Sequence, residues 1–80
     1  MYKVIAMDLK DRLRQLRKEY GYTQEEASSL INISRGTLAK YEVGMRDPDI
    51  YTLSLLADLY NTSTDYLLGR TKRKKPYPYK

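Results

Sequence analysis

The sequence predicts an all-α domain of five short helices. Apolar residues recur at helical spacing in successive stretches of the chain. Those stretches open at an N-capping residue: Asp8, Thr23, Ser34, Asp49 and Ser63. They close at Gly21, Asn32, Gly44, the Asn61-Thr62 break and Gly69. Strand-like alternation extends no further than the first few residues.

The first helix starts at Asp8, and Leu9, Leu13, Leu16 and Tyr20 form its apolar stripe. Lys10, Arg12, Arg14, Arg17 and Lys18 make the rest of it basic; the stripe of Lys10, Arg12 and Arg14 reads as a solvated face, with phosphate contact as its alternative. The second helix opens with a capping box, Thr23 with Glu26 three residues on. Ala27, Ser28 and Ile31 give it one small, apolar face. Asn32 tolerates the left-handed backbone a tight turn needs, and Ile33 packs behind that turn. The third helix, capped by Ser34, turns Leu38 and Tyr41 inward. Arg35, Gly36, Ala39, Lys40 and Val43 face out. A short, capped helix with a small, basic outer face suits the major groove of DNA.

After the Met45-Arg46-Asp47-Pro48 turn, the fourth helix is expected to bury Ile50, Leu53, Leu56, Ala57 and Tyr60. Leu55 and Leu59 fall on a second face. The fifth helix carries Tyr66, Leu67 and Leu68. Three segments follow: a 1–7 N-terminal extension, an 8–69 helical domain, and a basic 70–80 tail that reads as disordered. Val4 and Ile5 of the extension are apolar residues that could pack on the body.

Composition narrows the chemistry. The chain has 80 residues, enough for one small domain. It contains neither cysteine nor histidine, which removes disulfides, Cys/His zinc sites and His-based acid–base catalysis. No paired-carboxylate motif stands out, so an enzyme, a metal site and a cofactor are not expected. No apolar stretch is long enough to span a membrane, and a soluble cytoplasmic chain is the expectation. The net charge of +5 belongs to the tail. Residues 70–80 hold six basic groups and no acidic one, leaving nine basic against ten acidic groups in the other 69 residues. All nine aromatics are tyrosine. Tyr20, Tyr22, Tyr41, Tyr60 and Tyr66 read as core or half-buried rather than as base-stacking surface.

From Asp8 to Gly69 the chain resembles the Cro/phage-repressor, or Xre-type, helix-turn-helix family. The motifs are Leu13, Leu16, Arg17 and Lys18 in the first helix, then Thr23-Gln24-Glu25-Glu26 and Ser34-Arg35. They continue with Tyr41-Glu42, Gly44, Arg46 and Pro48, and with Ser63-Thr64-Asp65-Tyr66-Leu67-Leu68-Gly69. They run in one register over about three-quarters of the chain. Asn32 stands where the family usually has glycine, and Ser28 where it has a small residue, usually alanine. Gly36 inside the third helix should cost about 1 kcal/mol against alanine.

The resemblance implies a five-helix, lambda-repressor-like DNA-binding domain acting as a transcriptional regulator, commonly a repressor bound to its operator as a dimer. On that reading the base-contacting residues are Arg35, Gly36, Thr37, Ala39 and Lys40. Arg35 can give two hydrogen bonds to guanine; a phosphate contact is its alternative. The phosphate-contacting set is Thr23, Gln24, Ser34 and Arg46, with Gln24 resembling the family's phosphate-clamping glutamine at a helix N-terminus. Ser34 serves more naturally as a cap. Arg17 and Glu42 resemble a structural ion pair between the first and third helices. Apolar surface on the fourth and fifth helices suggests a homodimer contact through Leu59, Thr64, Tyr66 and Leu67. The expected partners are therefore double-stranded DNA and a second copy of the chain, at least on DNA, with no small-molecule pocket. A protein-interaction module is the second reading, and RNA binding would have to rely on the tail. The tail is either a flexible arm that adds phosphate affinity or a solubilising end.

Overall fold

The computed structural model describes residues 8–76. The 1–7 extension, with Val4 and Ile5, and the last four residues of the tail lie outside it. Five helices follow in order: α1 Leu9–Glu19, α2 Gln24–Leu30, α3 Arg35–Val43, α4 Ile50–Leu59 and α5 Thr64–Leu67. No strand occurs among the described residues.

The caps act where the sequence puts them. The side chains of Thr23, Ser34, Asp49 and Ser63 each accept a backbone N–H from the first turn they precede. Asp8 starts α1 by backbone conformation alone, without a side-chain cap bond. The Thr23–Glu26 capping box is complete, at 3.0 and 2.8 Å.

The helices also end alike. After α2, Asn32 adopts φ +63°, its N–H bonds the Ser29 carbonyl at 3.1 Å, and the Ile33 N–H bonds the Ser28 carbonyl at 3.0 Å. This paired closure satisfies carbonyls the helix leaves open. Gly21, Gly44, Asn61 and Gly69 close the other helices with the same pair of bonds. At Gly44 a Cβ would stand 2.8 Å from Lys10 Cδ, which the flexible lysine side chain could relieve, so the left-handed φ of +81° is what favours glycine there.

One core holds the five helices together. Leu13 and Leu16 of α1, Ala27 of α2 with Ile31 just after it, Leu38 and Tyr41 of α3, and Leu53, Leu56 and Ala57 of α4 are buried, with Tyr60 and Leu67. α3 packs on both α1 and α2, and α5 on α1 and α4.

Five expectations need correction. Ile50 is 73% exposed rather than buried, because α4's packed side is centred on Leu53, Leu56 and Ala57 and the first turn projects past it. Arg12 is buried rather than solvated: its guanidinium lies 4.4 Å from the centre of the Tyr66 ring and ties α1 to α5. Tyr20 is 45% exposed, but its ring packs against Tyr22 and Tyr60 and its hydroxyl donates to the Tyr60 carbonyl at 2.9 Å. Leu67 is fully buried in the monomer core, so its side chain is not available to a dimer contact. The basic tail is tied to the body at Lys74, although residues 70 and 72–75 stay exposed. Lys74 pairs with Glu19 at 3.0 Å, and its carbonyl accepts the Thr62 hydroxyl. Being tied to Glu19 holds the Lys74 ammonium pKa above its ordinary value.

Candidate nucleic-acid interface

The chain presents the N-terminus of α2 and the start of α3 along one surface groove. Arg17, Gly21, Tyr22, Thr23, Gln24, Glu25 and Arg35 line it. The capping box engages the N–H groups of Thr23 and Glu26. Those of Gln24 and Glu25 are left without an intrahelical acceptor, at the positive end of the helix dipole. The groove thus joins free donors, a helix N-terminus and the Arg35 guanidinium, which together suit an anionic ligand.

α3 separates its residues by face. Leu38, Tyr41 and Glu42 are buried, whereas Arg35, Gly36, Lys40 and Val43 are exposed and Thr37 and Ala39 half-buried. Among the described residues, Arg35 and Lys40 form no ion pair or hydrogen bond with the body. Ser34 and Thr37 serve the helix start: the Ser34 hydroxyl accepts the Thr37 N–H at 3.0 Å, and the two hydroxyls lie 2.8 Å apart. Gly36 is open, with only Ser34 Oγ within 4.0 Å of where a Cβ would stand. Arg46 is exposed on the α3–α4 connection, away from the groove lining, and its charge helps lower the Asp49 carboxyl pKa behind the capping bonds from Thr52.

Beneath this face lies a polar network. Arg17 Nε donates to Glu42 Oε2 at 2.8 Å, and Arg17 Nη2 to Glu42 Oε1 at 3.0 Å. Arg17 Nη1 donates to the Tyr22 carbonyl at 2.9 Å. The Arg17 and Glu42 side chains are 13% and 2% exposed, so this fork-on-fork pair is largely shielded from water. Hydrogen bonding to Glu42 raises the Arg17 pKa, against the opposing effect of burial. Arg14 Nη1 reaches the Glu42 carbonyl at 3.2 Å, a second tie from α1 to the end of α3. Gln24 Nε2 donates to Glu42 Oε1 at 3.2 Å. The Tyr60 hydroxyl is buried with no hydrogen-bond partner among the described residues. Burial pushes its pKa well up; Glu42 adds to that and Arg17 opposes it.

The structure therefore gathers Thr23, Gln24 and Arg35 into one groove and sets Lys40 and Gly36 on the exposed face beyond it. Leu59, Thr64 and Tyr66 are partly buried on the α4–α5 side, Tyr66 under Arg12. The Gln24–Glu42 bond and the Arg12–Tyr66 contact have no sequence signal, since both join residues far apart in the chain. No cluster of side chains able to hold a metal ion occurs among the described residues. No described helix is long and apolar enough to cross a membrane.

A capped helix pair with a tight asparagine turn and an outward second helix defines a helix-turn-helix protein. Residues 13–67 match the helix-turn-helix family. The chain belongs to that family, in its Cro/phage-repressor (Xre) branch. It is 49% identical over 69 residues to the HTH-type transcriptional regulator ImmR of Bacillus subtilis, covering 86% of this chain and 54% of ImmR. It is 43% identical over 68 residues to the HTH-type transcriptional regulator AnsR of the same organism, covering 85% and 59%. The chain thus spans little more than half the length of these relatives. The fold is that of the P22 c2 repressor, solved in complex with synthetic operator 9T, with a TM-score of 0.76 over 79% of this chain and 96% of that one at 24% identity.

Proposed function

We propose that this chain is a sequence-specific double-stranded DNA-binding transcriptional regulator, a repressor that inserts α3 into the major groove of a palindromic operator as a homodimer. The observation that carries the reading is the exposed start of α3, with Arg35 and Lys40 unengaged among the described residues and Gln24 at the neighbouring N-terminus of α2. Arg35 reads guanine, Gly36 and Ala39 allow close approach, and Lys40 and Thr37 complete the base-facing set. Gln24, Thr23, Ser34 and Arg46 contact phosphates and set the register. Occupying an operator is enough to exclude other proteins from it, so repression is the direct outcome.

The half-buried Leu59, Thr64 and Tyr66 and the exposed Leu55 and Leu68 provide the dimer surface in α4 and α5. The tail's positive charges add sequence-independent attraction to DNA, less the share that Lys74 spends on Glu19. The relatives' printed description as transcriptional regulators agrees with this reading.

Selection of bound sequences from a random duplex pool tests it. The expected result is a two-fold symmetric motif with guanine at a fixed place in each half-site. An enriched pool with no common motif would leave only non-specific binding.

A further inference from the structure

Glu42 does more than pair with Arg17. Its Oε1 accepts from Arg17 Nη2 at 3.0 Å and also from Gln24 Nε2 at 3.2 Å, across from α3 to the first position of α2. A carboxylate can only accept, so it takes the nitrogen of the Gln24 amide and never its oxygen. Glu42 thereby selects one of the two amide orientations open to Gln24. The second N–H of that nitrogen stays available to an acceptor in the groove that Gln24 and Arg35 share.

We infer that Glu42 is a positioning residue for DNA binding: it holds the Gln24 amide with an N–H ready for a phosphate, and so links the α2 phosphate contact to the seating of α3. This rests on the DNA-binding reading. Two features make the device workable. Arg17 faces Glu42 through two nitrogens, at 2.8 and 3.0 Å, so the carboxylate is neutralised and does not repel the phosphate. Gln24 loses its rotamer freedom when the chain folds rather than when DNA binds, which is pre-organisation.

The test is a double-mutant cycle read on duplex binding, using Gln24→Ala, Glu42→Gln and the pair, each on the selected operator and on random duplex. In Glu42→Gln a single neutral oxygen replaces the two carboxylate oxygens that serve Arg17 Nε, Arg17 Nη2 and Gln24 Nε2, so the three donors compete for it and the hold on Gln24 weakens. Gln24→Ala alone should weaken binding roughly fivefold on both duplexes and leave the salt dependence unchanged, because the amide carries no charge. In the Glu42→Gln background the same change should cost less than about twofold. An equal cost in both backgrounds overturns the inference. Should Glu42→Gln not fold, side-chain amide relaxation of Gln24 in the native protein decides. An amide as ordered as the backbone supports positioning, and one that rotates freely overturns it. If the native protein binds no duplex at all, the DNA-binding reading falls and takes this inference with it. A coupled cycle that fails on a protein that does bind removes only the inference.

Discussion

On its inner face α3 carries Leu38, Tyr41 and Glu42, all buried; on its outer face it carries Arg35, Gly36, Lys40 and Val43, all exposed. The inner set includes a carboxylate, and the outer set includes a valine. Polarity therefore does not separate the faces; partnership does. Glu42 is buried because Arg17, Gln24 and the α1–α3 packing satisfy it. Arg35 and Lys40 are exposed and, among the described residues, bonded to nothing in the fold. Removing the inner-face Glu42 should act first on stability, whereas removing the side chain of Arg35 or Lys40 on the outer face should act first on what the protein binds.

The largest expected effect lies on the inner face. Glu42→Ala leaves the Arg17 guanidinium unpaired in a site only 13% exposed, and should cost about 3–5 kcal/mol in urea unfolding. A loss below about 1 kcal/mol would place the pair among exposed salt bridges and break the contrast between the faces. On the outer face, Arg35→Ala should leave the unfolding midpoint within about 0.5 kcal/mol of the native value. Its operator affinity should fall by ~1–3 kcal/mol per half-site, with a smaller loss on random duplex. Equal losses on both duplexes would make Arg35 a phosphate contact.

Tyr60→Phe sharpens the inner side further. It removes a buried hydroxyl with no partner among the described residues, so stability should rise by about 1 kcal/mol. The pH dependence carries the same sign. The folded state holds the Tyr60 proton more tightly than the unfolded chain does, because its pKa is raised from 10.0. That contribution is therefore present below about pH 10 and is lost as the pH rises past it. Chemical unfolding between neutral and strongly alkaline pH should show a shallower fall for the variant. The smallest effect is at Gly36. A methyl group there meets only Ser34 Oγ at 4.0 Å, so Gly36→Ala should stabilise α3 by about 0.5–1 kcal/mol. On the proposed reading, in which Gly36 allows close approach to DNA, the same variant should bind the operator less well. Unchanged affinity, measured by titration on the selected operator, would mean that the start of α3 stays clear of the base edges.

Much of the fold is legible in the sequence. The four side-chain caps and five closures each involve residues a few positions apart, and Thr23 with Glu26 shows how local the signal is. The family resemblance supplied Arg17 with Glu42, and the structure shows that pair as a two-pronged bond. The outward setting of Arg35, Gly36 and Lys40 followed from helical spacing once Leu38 and Tyr41 faced in. The interior of the site was not legible. Nothing in the spacing of Gln24 and Glu42, 18 positions apart, says that one amide and one carboxylate will meet.

The sequence by itself determined where each helix begins and ends and which face of α3 points outward, because capping and helical periodicity act over a single turn. Only the tertiary structure decided burial at the margins of those faces. It buried Arg12 on the Tyr66 ring, exposed Ile50, sealed Leu67 in the core and drew Lys74 back to Glu19. Each outcome depends on which distant surface happens to stand opposite a side chain. A stripe on one helix sets a direction in space, but the neighbour that fills that direction comes from elsewhere in the chain.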